Sequence, residues 1–251
     1  SFTTEQVKES FASVNELNGF ISMLETGVKN SMTVKLDGLI MRTINNMTGQ
    51  ILNSANGLQK VNLLTEYNTA SGQTLTANKA LMDKDFLKFA SLTIKKYQAR
   101  ITKMSTLFNA GGKARFTTTD NLHTVLLSDF ADSAEVYLMS DTYHNDTVSL
   151  PNHETVPYWQ GSGKSYAFND ISKIDVKIDA GNKTPKAVTQ TGILGVMFDT
   201  NALGVSNLNQ RTTTSYNARA EFYTNYYKMD AGYFNDLNEN FVVFYIADPA
   251  K

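Results

Sequence analysis

Between Leu17 and Leu52 the apolar residues recur as Leu17, Phe20, Ile21, Leu24, Val28, Leu36, Leu39, Ile40, Ile44, Met47 and Ile51. Gaps of three and four sustained over so long a span predict one long amphipathic helix, around which the rest of the chain has to be arranged. The polar triplet Lys29-Asn30-Ser31 marks a place where it would kink or split. The run Asn53-Ser54-Ala55-Asn56-Gly57 signals its end, with Gly57 as a left-handed stop.

A polar loop from Thr69 to Asn78 separates this helix from a second one. Asp83 is placed to cap it, and Phe86, Phe89, Ala90, Ile94, Tyr97, Ile101, Met104 and Phe108 fall on one face. Gly111-Gly112 breaks it. A short strand-like piece, Ala114-Arg115-Phe116, follows, and then Thr118-Thr119-Asp120 as the cap of a third helix carrying Leu122, Val125, Leu126 and Phe130. That helix continues or restarts through Val136 and Leu138. Beyond about Asp141 the character changes. His144 to Gly163 is aperiodic, holds two of the four prolines and reads as a long loop. The period then becomes two, with Ile174, Val176 and Ile178 alternating with Asp175, Lys177 and Asp179. Ile193 to Phe198 is a nearly continuous apolar strand; Phe222 to Tyr227 and Phe241 to Ile246 are two more, joined by a turn around Asp236-Leu237-Asn238. Helices first and strands later point to an α+β fold rather than alternating βαβ units.

Composition narrows the class. Hydrophobic residues at 41% and charged residues at 19% fit a globular chain of 251 residues, long enough to bury a sizeable core. A formal net charge of −1 argues against a dedicated nucleic-acid binder, which normally carries a basic excess. With no cysteine there is no disulfide, thiolate metal site or cysteine nucleophile. No apolar run approaches the roughly 18 residues that cross a bilayer, and no secretory signal opens the chain. The polar residues are largely Asn, Thr and Ser, types that suit strands, turns and uncharged contact surfaces.

Three constellations invite a functional reading. Gly161-Ser162-Gly163-Lys164-Ser165 ends like a phosphate-binding loop, which would make the protein a nucleotide hydrolase. Position 158, where the first glycine belongs, is Tyr158. No buried strand is expected at Thr155-Val156-Pro157, and no helix is expected after Ser165 to aim its N–H groups at a phosphate. The segment reads as a turn. His123, on the third helix, has no partner four residues on; His144 and His153, near Asp141, Asp146 and Glu154, lie in the loop and read as solvated side chains rather than metal ligands. Gly161-Ser162-Gly163 lacks the strand-to-helix setting of a nucleophile elbow, and the carboxylates are scattered, so no catalytic, cofactor-binding or metal residue is assigned. The aromatics Phe222, Tyr223, Tyr226, Tyr227, Tyr233 and Phe234 suggest a base-stacking surface, but only Arg211, Arg219 and Lys228 are near; core packing and subunit contact is the preferred reading.

The order of segments carries a resemblance. LDGLIMRTINNMTGQIL followed by VNLLTEYN is the first. The second is DFLKFASLTIKKYQARITKMSTLFN leading into GGKARFTTTDNLHTVLLSDFADSAEVYLMSDTYHN. The third is the closing run TGILGVMFDTNALGVSNLNQRTTTSYNARAEFYTNYYKMDAGYFNDLNENFVVFYIA. In this order and spacing, which cover most of the chain, the sequence resembles the major capsid proteins of tailed bacteriophages, with the Hong Kong 97-type fold. The resemblance implies a peripheral domain at 1–79 containing a spine helix, an axial domain at 80–200, and strands returning to the peripheral domain at 201–251. In ARFTTTDNLHTVLL it implies a strand, a Thr118 or Thr119 cap and a helix.

It further implies a shell of pentamers and hexamers enclosing DNA without reading its sequence. Portal, scaffolding or decoration proteins would be its partners, and the virion, assembled in the host cytoplasm, its location. Family members carry an N-terminal arm and an extended hairpin, the E-loop, before the spine helix; almost nothing precedes that helix here, so both are expected to be missing from this chain. A lysine–asparagine cross-link known in some relatives matches no assignable pair. An encapsulin-type compartment of the same fold is the alternative shell.

Overall fold

The computed structural model describes residues 2–3, 14–54, 57–140, 150, 152–160, 165–179, 184–219 and 222–248. Helix α1 runs unbroken over Val14–Asn53. The helix does not split at Lys29-Asn30-Ser31, because three residues without proline or glycine cost a helix little on a solvated face. The chain leaves α1 at Asn53, and Gly57 opens a 3-10 turn, Gly57–Gln59, instead of closing the helix. A single apolar stripe does not describe α1. Up to Ile40 none of its described residues is buried, whereas Thr43, Ile44, Asn45, Met47, Thr48 and Ile51 are buried nearly all round.

The chain packs as two compact units, Ser1–Ile40 with Val205–Phe234 and Met41–Gly204 with Asn235–Lys251. The larger unit is built on a five-stranded sheet of β2 (Lys60–Asn62), β10 (Phe241–Tyr245), β7 (Ile193–Asp199), β3 (Leu122–Leu127) and β4 (Glu154–Val156), in that order. β10 runs parallel to β2 and antiparallel to β7; β3 is antiparallel to β7 and parallel to β4. β7 is the middle strand, and all seven of its residues are buried, as its unbroken apolar run requires. Helices α2 (Leu63–Ser71), α4 (Lys84–Ile101) and α5 (Ser128–Ser140) supply apolar residues to the same core, among them Leu63, Phe86, Leu87, Ile94 and Phe130. A short α3 (Ala77–Ala80) lies between α2 and α4, and β5 (Ile174–Ile178) forms an antiparallel ladder with β6 (Lys186–Gln190).

Several sequence expectations change here. The loop beginning at Thr69 is partly helical: Asn62 caps α2 by accepting from the Thr65 N–H at 3.3 Å, and Gly72, at φ 70°, closes it in the left-handed region. The second helix starts as expected, with Asp83 accepting from the Phe86 N–H at 2.7 Å, but ends at Ile101. Phe108 reaches the core from the segment beyond it, while Met104 points to solvent. The third helix does not begin at Leu122. Residues 122–127 are strand β3, in register with β7 through Val125↔Val196, and the helix starts at Ser128. A short apolar run fits a buried strand and a helix equally well, and pairing with β7 decides between them. Accordingly neither Thr118 nor Thr119 caps an α-helix; Thr118 precedes a 3-10 turn and makes no capping hydrogen bond through its side chain.

The alternation at 174–178 and the strand at 193–198 stand as expected. The turn at Asp236 also stands; its carboxylate accepts from the Asn238 N–H at 2.9 Å. The strand expected at Phe222–Tyr227 extends over Phe222–Asn235, as β9. It pairs with a strand that the sequence did not announce, β8 (Leu203–Asn217), and with β1 (Phe2–Thr3), giving a three-stranded sheet in the order β1-β9-β8.

Candidate assembly surfaces

The smaller unit consists of the first part of α1, β1 and the long β8–β9 hairpin. The hairpin is braced across its strands by Thr214 Oγ1 donating to Asn225 Oδ1 at 2.8 Å and by Arg211 pairing with Asp230 at 3.1 Å. On the helix, Phe20, Val28, Met32, Leu36 and Leu39 are half-buried, and the Tyr227 hydroxyl donates to Glu25 Oε1 at 3.5 Å. No described residue of this unit is buried. Large apolar groups stand in solvent instead: Val34 is 71% exposed, Leu208 72% and Tyr233 63%, and Met23, Tyr216, Tyr226 and Phe234 are exposed as well. One helix over a two-sided ribbon has too few layers to enclose a core.

That arrangement corrects one expectation. Tyr226, Tyr233 and Phe234 do not pack in a core; they lie on the surface of the hairpin, while the side chains of Phe222 and Tyr223 lie outside the described residues. Of the nearby cations, Arg211 is engaged by Asp230.

The candidate chemical sites come apart. Gly161 to Lys164 lie outside the described residues. What flanks them is a three-residue edge strand, β4, where none was expected, and a four-residue helix, α6 (Phe168–Ile171), where none was expected either. One turn of helix presents too few aligned N–H groups to hold a phosphate. The Ser165 hydroxyl is hydrogen-bonded to the Asp170 carboxylate, which would repel an anion. His123 sits on β3, not on a helix; its ring stacks on Phe198 at 5.9 Å, and its Nδ1 lies 3.9 Å from Glu154 on β4, brought close by the β3–β4 ladder. Asp141, His144 and Asp146 lie outside the described residues. Among the described residues no group of three potential metal ligands converges. An open depression of about 430 Å³, lined by Gly72 to Thr76 and Lys79, offers one cation and no carboxylate.

The larger unit is held by interior polar links. Asn45 Nδ2 donates to the Trp159 carbonyl at 2.7 Å, and Trp159 Nε1 donates to the Ile193 carbonyl at 2.9 Å, which ties α1, the segment after β4 and β7 together. Sequence reasoning missed β8, and with it half of the exposed ribbon. Its run VSNLNQRTTTSYN carries no apolar alternation, and its strand formers are confined to three threonines with Val205 and Tyr216 at the ends.

A family model for the Phi29-like phage major capsid protein matches residues 1–245. The chain belongs to the Phi29-like phage major capsid proteins. Among solved structures it is similar to the capsid structure of Staphylococcus phage Andhra, at 12% identity and a TM-score of 0.54, over 98% of this chain and 68% of that one. It is also similar to a chain in the structure of head fiber and inner core protein gp22 of native bacteriophage P68, at 8% identity and a TM-score of 0.50, over 97% and 68%. A search of curated proteins returned no match. This capsid protein is therefore a structural component of a phage shell, and its mixed helix-and-sheet fold is that of phage capsid structures. The family match favours a phage head over a cargo compartment.

Proposed function

We propose that this capsid protein builds the head by the Hong Kong 97-type plan, with α1 as the spine helix. In this reading residues 1–79 and 201–251 belong to the peripheral domain and 80–200 to the axial domain, with pentamers and hexamers forming around the axial ends. The observation that supports it is the smaller compact unit, in which no described residue is buried and apolar side chains stand in water. Such a surface is completed by neighbouring copies; large apolar patches on soluble chains mark contact sites. The packaged DNA is enclosed without being read, in keeping with a net charge of −1. A portal ring and scaffolding or decoration proteins belong to the same reading, as does assembly in the host cytoplasm.

Electron microscopy of the expressed full-length protein tests it. Closed shells or hexameric rings are expected. A full-length chain that stays a monomer at high concentration by sedimentation, with and without its co-expressed head proteins, overturns the proposal.

A further inference from the structure

We propose that the outer edge of β8, over residues 206–215, takes up an extended strand from a second copy of this chain, so that neighbouring subunits share one continuous sheet. The inference rests on the shell reading and names one contact within it. β8 ends its sheet, since the order is β1-β9-β8, and every residue from 206 to 215 is exposed. Alternate residues of a strand turn their N–H and C=O groups to the same side, so about five residues of this stretch direct outward backbone groups that no described strand pairs.

Proteins normally blunt such an edge with short length, charge or proline, and among the described residues the other strand edges are blunted. β2 is three residues long and begins with Lys60. β4 is also three residues, contains Glu154 and runs into Pro157. β5 carries Asp175 and Lys177, and β6 begins at Lys186. The far edge of β9 is taken at Phe222 and Tyr223 by β1 and carries Lys228 further along. Residues 206–215, SNLNQRTTTS, have none of these devices: no proline, no lysine, no acid, and a single charge, Arg211, already neutralised by Asp230 on β9. Three consecutive threonines favour the extended state.

Among the described strands, an edge left open where the others are closed is suited to receive a further strand. The occupant is a second copy because a shell surrounds each chain with many identical neighbours, and because an uncharged edge suits an uncharged strand; β8 itself, with one charge in fifteen residues, is the nearest example.

Hydrogen exchange read by mass spectrometry, on assembled particles of the full-length protein and on subunits dissociated from them, is the primary test. In free subunits about half of the amides of residues 206–215 exchange fast. In particles the whole stretch is expected to slow at least tenfold. Particles that form normally while this stretch exchanges as in free subunits overturn the inference and leave the shell reading intact; if no particles form, the shell reading falls and takes the inference with it. Protection that appears only when another virion protein is present overturns the second-copy assignment.

Proline substitution separates edge pairing from burial of the ribbon's face. Thr212→Pro and Thr213→Pro remove N–H groups that point to opposite sides of β8, so one spares the ladder to β9 and keeps the parent's melting temperature. That variant is expected to lower particle yield at least tenfold, and parent-like assembly by it overturns the proposal. Should both variants melt early, the exchange comparison on the unmodified protein decides.

Discussion

Gly49 and Gly27 lie on the same helix and answer to different constraints. A Cβ at Gly49 would come within 2.5 Å of Val176 Cγ2 and 3.1 Å of Ile178 Cγ2, whereas a Cβ at Gly27 meets nothing within 4 Å. Valine is stiff about χ1, so the clash has to be relieved by moving β5. Gly49→Ala is expected to destabilise the protein by about 1–3 kcal/mol, and Gly27→Ala to strengthen α1 by about 1 kcal/mol, both read from thermal melts followed by circular dichroism. Tyr97 supplies a pH-dependent term. It is 4% exposed, with its ring edge-on to Phe244 at 5.4 Å. Burial first, and the Glu66 carboxylate second, hold its hydroxyl above the ordinary 10.0, against the Arg100 guanidinium, which lowers it. The unfolded chain therefore ionises this group before the folded chain does. Its contribution is intact below pH 10 and is lost as pH rises through that value toward the folded one. Denaturant titrations from pH 9 upward are expected to give a falling midpoint, with a shallower fall in Tyr97→Phe.

At the scale of elements, legibility followed the strength of local signals. Helix α4 was readable at its start, because Asp83 is a capping residue ahead of an apolar period, and Asp83→Ala is expected to lower stability by about 1 kcal/mol in a denaturant melt. Its end was not readable. Phe108 continues the helical spacing past Ile101 and reaches the core by another path. Strand β3 was misread as helix because Leu122, Val125 and Leu126 stand at helical spacing in a short apolar run that a buried strand fits as well, and only the ladder to β7 decides. β8 left almost no trace, since a ribbon exposed along most of its length has no need of buried alternation.

For the whole molecule, the two compact units differ in kind. The core residues, including Trp159, Phe86, Phe130 and Phe244, all belong to Met41–Gly204 with Asn235–Lys251. Stability varies within a chain according to buried contacts. Amide exchange in free subunits is accordingly expected to be slow in β7, β10 and α4 and, on average, faster in residues 14–40 and 205–234. Equal protection in both would contradict a unit that depends on its neighbours. Trp159, the single tryptophan, lies in the well-packed unit, so its fluorescence reports the cooperative transition of that unit alone.

The sequence by itself determined the long helix, the α4 cap, the β5 alternation and the apolar β7 strand, because each depends on periodicity or capping chemistry written within a few residues. Its segment order also carried the capsid resemblance that the family match bears out. Tertiary structure alone decided that α1 is buried only from its later turns, that residues 122–127 are a strand, and that His123 meets Phe198 and Glu154. It alone decided, too, that β8 is the last described strand of its sheet. Those outcomes depend on which distant segment arrives alongside, and the free energy of that meeting is not encoded in any short stretch of chain.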